Sequence, residues 1–244
     1  MSTLSPMSTL NENGQTQGQS RGLCPCIVAC ESLKPELDLV MQRLNCTLPI
    51  YWIEAGNHSW PDKLRVVLQE AIDKLPEGST VLLVFGFCGN ALVGINSGSH
   101  TLILPRVADC IPLFIGSRKE RDAYGTDIYF FTEGYINSGR SIASDSTQTI
   151  KRYGETRGLA ILKKMLCHYR NFTIIDTKAY NVETAKEKVD KFAKLVEIPV
   201  EVIPGNLRLF EALLSGSHNE DEFLTVPPGG SISFEDGLSA GKAQ

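Results

Sequence analysis

The sequence predicts an α/β protein made of two similar Rossmann-like three-layer lobes, with mostly parallel sheets and a cleft between the lobes. Three observations carry this. Apolar runs such as Val81–Phe85 and Thr101–Leu104 are too short for anything but buried strands. They alternate with segments of helical periodicity, the pattern of βαβ units. The last third repeats the opening arrangement: Ile27–Cys30 answers to Ile174–Thr177, Tyr51–Gly56 to Glu201–Gly205, and Val84–Gly89 to Val226–Gly230. The boundaries that follow are a disordered arm over residues 1–22, a first lobe over 23–146, a second lobe with a long connecting helix over 147–230, and a tail over 231–244.

Met1–Ser20 is Ser, Thr, Asn, Gln and Gly with almost nothing to bury, so no packed structure is expected there. The first core strand is Cys26–Cys30, and Leu33–Leu44 is a helix with Leu33, Leu37, Val40, Met41 and Leu44 on one face. Leu48–Ile53 is the second strand. Ser59 is expected to cap the next helix, which has Pro61 and Asp62 in its first turn and Leu64, Val67, Leu68, Ala71 and Leu75 on its buried face. The third and fourth strands are Val81–Phe85 and Thr101–Leu104, followed by helices over Ala108–Ile115 and Ser117–Tyr124. Asp127–Thr132 is a strand, Ser138–Ser146 a polar loop, and Thr149–Tyr169 a long helix bent near Gly154–Gly158. Strands at Phe172–Ile175, Val200–Ile203 and Glu222–Val226 then enclose helices at Val182–Val196 and Leu207–Leu214. The tail is expected to be mobile beyond Leu238.

The 244 residues are 42% hydrophobic, enough for one large core or two smaller ones. A net charge of -4 offers no broad positive surface, which argues against nucleic acid. No apolar run approaches the roughly 20 residues that span a bilayer, so the expectation is a soluble, cytoplasmic protein without a membrane partner. Seven cysteines in an unsecreted chain favour thiols or metal ligands over a disulfide framework.

Cys30, His58 and Cys88 each lie at or near the carboxyl end of one of the first three strands, and Cys110 follows the fourth. Their separations match no finger-type ligand spacing. Each gap is about one strand-helix unit, however, so a single sheet edge can collect all four. Thiolate and imidazole suit zinc and would accept iron or cobalt, and three thiolates with one imidazole make a complete tetrahedral shell. The competing reading is that these are packed core thiols, since Cys30 and Cys88 border apolar runs. Cys24-Pro25-Cys26 is a further C-x-C pair, set aside because it abuts the polar arm.

Around these, Arg106 follows Pro105 at a strand end and could grip a carboxylate or phosphate, or else pair with Asp109, Glu31 or Glu54. Gly86, Gly89 and Asn90 form a small, polar passage where backbone could approach a cofactor. Ser117 opens a helix whose exposed donors could hold an anion or could simply be capped. Glu133 and Tyr135 follow a strand and are candidates for proton movement. The dinucleotide fingerprint and the Walker A motif are both absent.

The pieces IVACE at Ile27–Glu31, His58, FGFCGNALVG at Phe85–Gly94, PRVADCI at Pro105–Ile111, IGSRKE at Ile115–Glu120 and TEGYI at Thr132–Ile136 resemble the DUF1638 domain family of archaea and anaerobic bacteria. The resemblance runs from Cys26 to Val226. Ala108 stands where histidine is common in that family, and Tyr135 where tryptophan is usual. It implies a shared metal or reactive-thiol site at Cys30, His58, Cys88 and Cys110. It further implies a role near corrinoid proteins in anaerobic one-carbon metabolism. The expectation is therefore a zinc-binding protein, in its most concrete form a metal-thiolate methyltransferase, with a small-molecule substrate and a corrinoid protein as partner. The alternatives are a noncatalytic carrier of a metal, cobalt corrinoid or small anion, and an iron–sulfur protein.

Overall fold

The computed structural model describes residues 25–139 and 141–241, without the side chains of residues 58, 59, 144, 145 and 239–241. The amino-terminal arm, Cys24 of the C-x-C pair and the last three residues of the tail lie outside the described residues.

Parallel strands buried on both faces need continuous apolar runs, and these open the chain. Strands β1 (Cys26–Cys30), β2 (Ile50–Ile53), β3 (Thr80–Val84) and β4 (Thr101–Pro105) run parallel in the order β2-β1-β3-β4. Every residue of β1 is buried. Helices α1 (Lys34–Arg43), with a 3-10 turn at Glu31–Leu33 before it, and α2 (Pro61–Asp73) connect them. Both turn apolar stripes inward, with Leu33, Leu37 and Val40 on one and Leu64, Leu68 and Ile72 on the other. Ser59 is not the cap of α2. A 3-10 turn occupies Ala55–Ser59, Trp60 stands at the cap position, and no side chain caps it.

After β4 come α3 (Ile111–Ile115) and α4 (Arg118–Ala123), and then β5 (Ile128–Phe131). Strand β5 pairs in parallel with β6 (Asn171–Asp176), and β6 with β7 (Val200–Pro204), making a second sheet. Its separate apolar cluster includes Phe131, Phe172, Ile174, Val189 and Phe192. The expected polar loop over Ser138–Ser146 is largely helical: α5 (Glu133–Asn137) and α6 (Ile142–Tyr153) flank a short connection. The amphipathic signal was hidden by small polar residues, which are weak helix formers. The expected bend falls at Gly154, whose φ of 78° separates α6 from α7 (Glu155–Met165). Helices α8 (Val182–Val196) and α9 (Arg208–Ser215) follow β6 and β7.

The repeat read from the sequence is not completed. Strand β8 (Phe223–Val226), expected to answer to β3, instead joins the first sheet antiparallel to β4, with Leu104 opposite Leu224. The place beside β6 goes to β5. Local βαβ periodicity cannot distinguish these pairings, because it does not say which edge a strand joins. The tail also carries order: α10 extends over Phe234–Gly241, past the expected limit at Leu238. No helix among the described residues is long and apolar enough to cross a membrane.

Candidate functional site

The chain leaves β1 for β2 on one side and then returns to place β3 on the other. Such a reversal opens a crevice beyond the carboxyl ends of β1 and β3, where open α/β sheets bind ligands. Cys30 ends β1, and Cys88 lies just past β3.

The loop after β3 is fastened to the loop after β4. Phe87 N–H donates to Val107 O and Cys88 N–H to Ala108 O, both at 2.9 Å. Gly86 permits this approach: a Cβ there would lie 2.3 Å from the Asp109 carbonyl carbon. Beyond it the backbone turns left-handed, with φ of 45°, 68° and 68° at Cys88, Gly89 and Asn90. Glycine and asparagine accept that conformation readily, whereas cysteine enters it at a cost. Cys88 and Cys110 thereby face each other with their sulfurs 4.0 Å apart. Gly86 N–H also donates to Cys110 Sγ at 3.3 Å.

A cavity of about 370 Å³ opens over the thiols. Cys30, Cys88 and Cys110 all line it, with Ser32, Glu54 and Asp109. Its far wall comes from the second sheet: Tyr129 and Phe130 of β5, Thr132 and Tyr135 beyond it, and Tyr169 before β6. Tyr129 and Tyr135 share a hydrogen bond of 2.6 Å between their hydroxyls. Gly134 brings the walls together, since a Cβ there would meet Ser32 O at 2.0 Å.

Two of the cavity thiols are pushed toward the protonated form. Burial pushes Cys30 up to about 11, helped by the neighbouring Cys110 and opposed by the Ser32 hydroxyl, 3.1 Å away. Cys110 is held well above the ordinary thiol value by its hydrogen bond with Cys88, by burial and by the charge of Cys88, while the Gly86 N–H pulls the other way. All described cysteines are free thiols.

Of the expected site residues, the structure unites Cys30, Cys88, Cys110 and Tyr135. His58 belongs to the 3-10 turn after β2, next to a loop whose Glu54 reaches the cavity, but its side chain is not described. Gly86 acts by letting the loops meet, and Gly89 and Asn90 do not line the cavity. Arg106 and Ser117 are drawn to a second cleft of about 420 Å³. There Arg106 Nε donates to Glu220 O at 3.0 Å and Phe223 O at 3.3 Å, and its guanidinium pairs with Asp236 at 3.7 Å. None of the partners expected for Arg106 is the one it takes, because β8 supplies carbonyls the local sequence does not reveal. Ser117 caps α4, accepting from Glu120 N–H at 3.1 Å and donating to Glu120 Oε2 at 2.8 Å, a filled helix cap rather than an open anion seat.

Glu133 does not line the cavity either. It stands beside Glu36 and Tyr180, whose ionisation its charge opposes. Glu36 was missed by the sequence reading. It is fully buried, accepts from Thr177 Oγ1 at 2.9 Å, and leaves Oε2 without a partner. Burial, reinforced by Glu133, pushes its carboxyl up to about 7 against the Thr177 hydrogen bond. A charged residue on the Leu33, Leu37, Val40 stripe was the available signal.

Two thiolates bound to one tetrahedral zinc at about 2.3 Å sit about 3.8 Å apart, so the Cys88–Cys110 pair fits a soft ion. Among the described residues no three Cys, His, Asp or Glu side chains already form a metal-binding group. A complete shell therefore needs Cys30 to turn or a ligand from outside the described side chains.

Fold and site together define an α/β protein with a thiol-lined cavity at a sheet edge. Residues 52–214, most of the chain, match the family described as "Protein of unknown function (DUF1638)", and the chain belongs to that family. No curated protein and no solved structure matches it.

Proposed function

We propose that this chain is a metal-thiolate protein in which Cys88 and Cys110 hold zinc or another thiophilic ion, with Cys30 and His58 as further ligands. The observation that carries the reading is the 4.0 Å approach of two sulfurs at the floor of a cavity large enough for a substrate. In this reading the two sheets are the cores of two Rossmann-like lobes, and the cavity is their cleft.

Without an ion, Cys30 and Cys110 are weak nucleophiles because both are pushed toward the protonated form. A bound ion would supply what they lack, a deprotonated sulfur at neutral pH. The chain's own residues would do the rest. Phe85, Phe114 and Phe130 exclude water from the sulfurs, Gly86 N–H stabilises charge on Cys110 Sγ, and the Tyr129–Tyr135 phenol pair can pass a proton at the opposite wall. The reaction that best suits this set is methyl transfer to or from a thiol or amine, with a corrinoid protein as the exchanging partner in a cytoplasmic one-carbon pathway. Direct contact between cavity and thiols favours catalysis over simple carriage of a metal or corrinoid.

Metal analysis of anaerobically purified protein tests the proposal. One ion per chain, lost in both Cys88→Ser and Cys110→Ser, is expected. Full metal content in both variants would refute it, and a brown protein with broad visible absorbance would replace zinc by an iron–sulfur cluster.

A further inference from the structure

We propose that Cys88 and Cys110 are also a reversible dithiol–disulfide couple, which exchanges with low-molecular-weight disulfides entering the thiol cavity. This activity does not depend on the metal reading. It rests on three features of the pair.

The sulfurs are already in contact. A disulfide bond is about 2.05 Å long, so they must approach by about 2 Å from their 4.0 Å separation to close one. The loops that carry them are held side by side by the Cys88 N–H to Ala108 O bond and by the close approach of Gly86 to Asp109. The pair is also accessible. Both sulfurs belong to residues that line the cavity and retain partial exposure, unlike Cys26, which is buried in β1 away from it.

The two sulfurs are not equivalent. Cys110 Sγ receives the Gly86 N–H, a fixed donor that stabilises negative sulfur when that thiol ionises. Among the described residues no backbone N–H donates to Cys88 Sγ, and Cys88 sits on the left-handed turn, a conformation that collects at functional positions. When the closed pair reopens, Cys110 is the better leaving sulfur because the Gly86 N–H stabilises its thiolate, and this places the mixed disulfide on Cys88 in both directions. Cys88 attacks one sulfur of the incoming disulfide, forming a mixed disulfide and releasing the first small thiol with the proton of Cys88. Cys110 then attacks Cys88 Sγ, closing the protein disulfide and releasing the second small thiol with the proton of Cys110. Two electrons pass from the protein dithiol to the small disulfide, and no other reactant is required. The reverse sequence, driven by excess small thiol, reopens the pair.

The test uses the full chain, stripped of metal with a chelator and incubated with glutathione disulfide. Intact mass should fall by two hydrogens, and mapping should place a single new disulfide between Cys88 and Cys110, reopened by excess glutathione. Cys110→Ser should accumulate a glutathione adduct on Cys88, whereas Cys88→Ser should accumulate at least tenfold less adduct on Cys110, with circular dichroism confirming that both variants are folded. Continued alkylation of both thiols under oxidising conditions, or a disulfide mapped to another pair, would overturn the assignment. Adducts of equal yield on the two variants would overturn the division of roles. Zinc titration of the reduced protein is the separate control: failure to bind metal removes the metal proposal and leaves the disulfide result standing, and the converse holds equally.

Discussion

Glu36→Gln should abolish a fall in stability that is expected of the native chain between about pH 4.5 and pH 7. Glu36 is fully buried on α1, and its carboxyl is shifted from 4.5 to about 7. In that interval the folded state keeps a proton that the unfolded state has already released. Stability must then decline as pH rises, and the shift corresponds to about 3 kcal/mol lost across the window. Below it both states are protonated, and above it both are ionised, so the penalty is constant on either side. Glutamine has the shape of the neutral acid, keeps an oxygen for the Thr177 hydroxyl, and leaves one polar group without a partner just as Oε2 is left now. The variant should match the native chain near pH 4.5 and exceed it by up to about 3 kcal/mol near pH 8. Urea unfolding at a series of pH values measures both curves. Parallel curves across the window would refute the argument, since they would mean that Glu36 titrates alike in folded and unfolded chains.

Thr177→Val should move the same transition to higher pH, because it removes the hydroxyl that stabilises the Glu36 carboxylate; an unchanged or lowered midpoint would count against that role. Gly86→Ala should destabilise the chain by more than about 2 kcal/mol and reduce metal and disulfide yields together, since its methyl would meet the Asp109 backbone. Chemical unfolding and thiol mapping report the two effects. Ser117→Ala removes the cap of α4 and should cost about 1 kcal/mol while leaving the reactions of Cys88 and Cys110 unchanged. A loss of thiol reactivity there would connect the second cleft to the first.

The central strands were legible because burial on both faces leaves apolar runs such as Cys26–Cys30 with no other reading. The long amphipathic α8 was legible for the same kind of reason, with Asn181 capping it through bonds to Glu183 and Thr184 N–H. Sheet membership was not. The residues of β5 and β8 fix their own extended shape but not their neighbours, and the exchange of edges moved Arg106 toward the carbonyls of Glu220 and Phe223 and away from the thiols. That Cys30, Cys88 and Cys110 could share one sheet edge was readable from the place of each at or after a strand's carboxyl end. The aromatic wall facing them was not, because Tyr129 and Tyr169 reach the cavity from a sheet whose placement no local pattern records.

The metal and disulfide proposals converge on the same two sulfurs, and that imposes a thermodynamic relation between them. A sulfur shared in a disulfide cannot bind an ion as thiolate, so each occupant excludes the other. Any ion that binds only the dithiol stabilises it against oxidation, by about 2.7 kcal/mol when present at a hundred times its dissociation constant. The same ion must displace the proton of Cys110, a thiol held well above its ordinary value, so the protection should strengthen as pH rises. Gly86 N–H serves both outcomes, since it favours charge on Cys110 Sγ whether an ion or an attacking sulfur draws on that charge. A site of this kind responds to metal supply and oxidant with one pair of atoms.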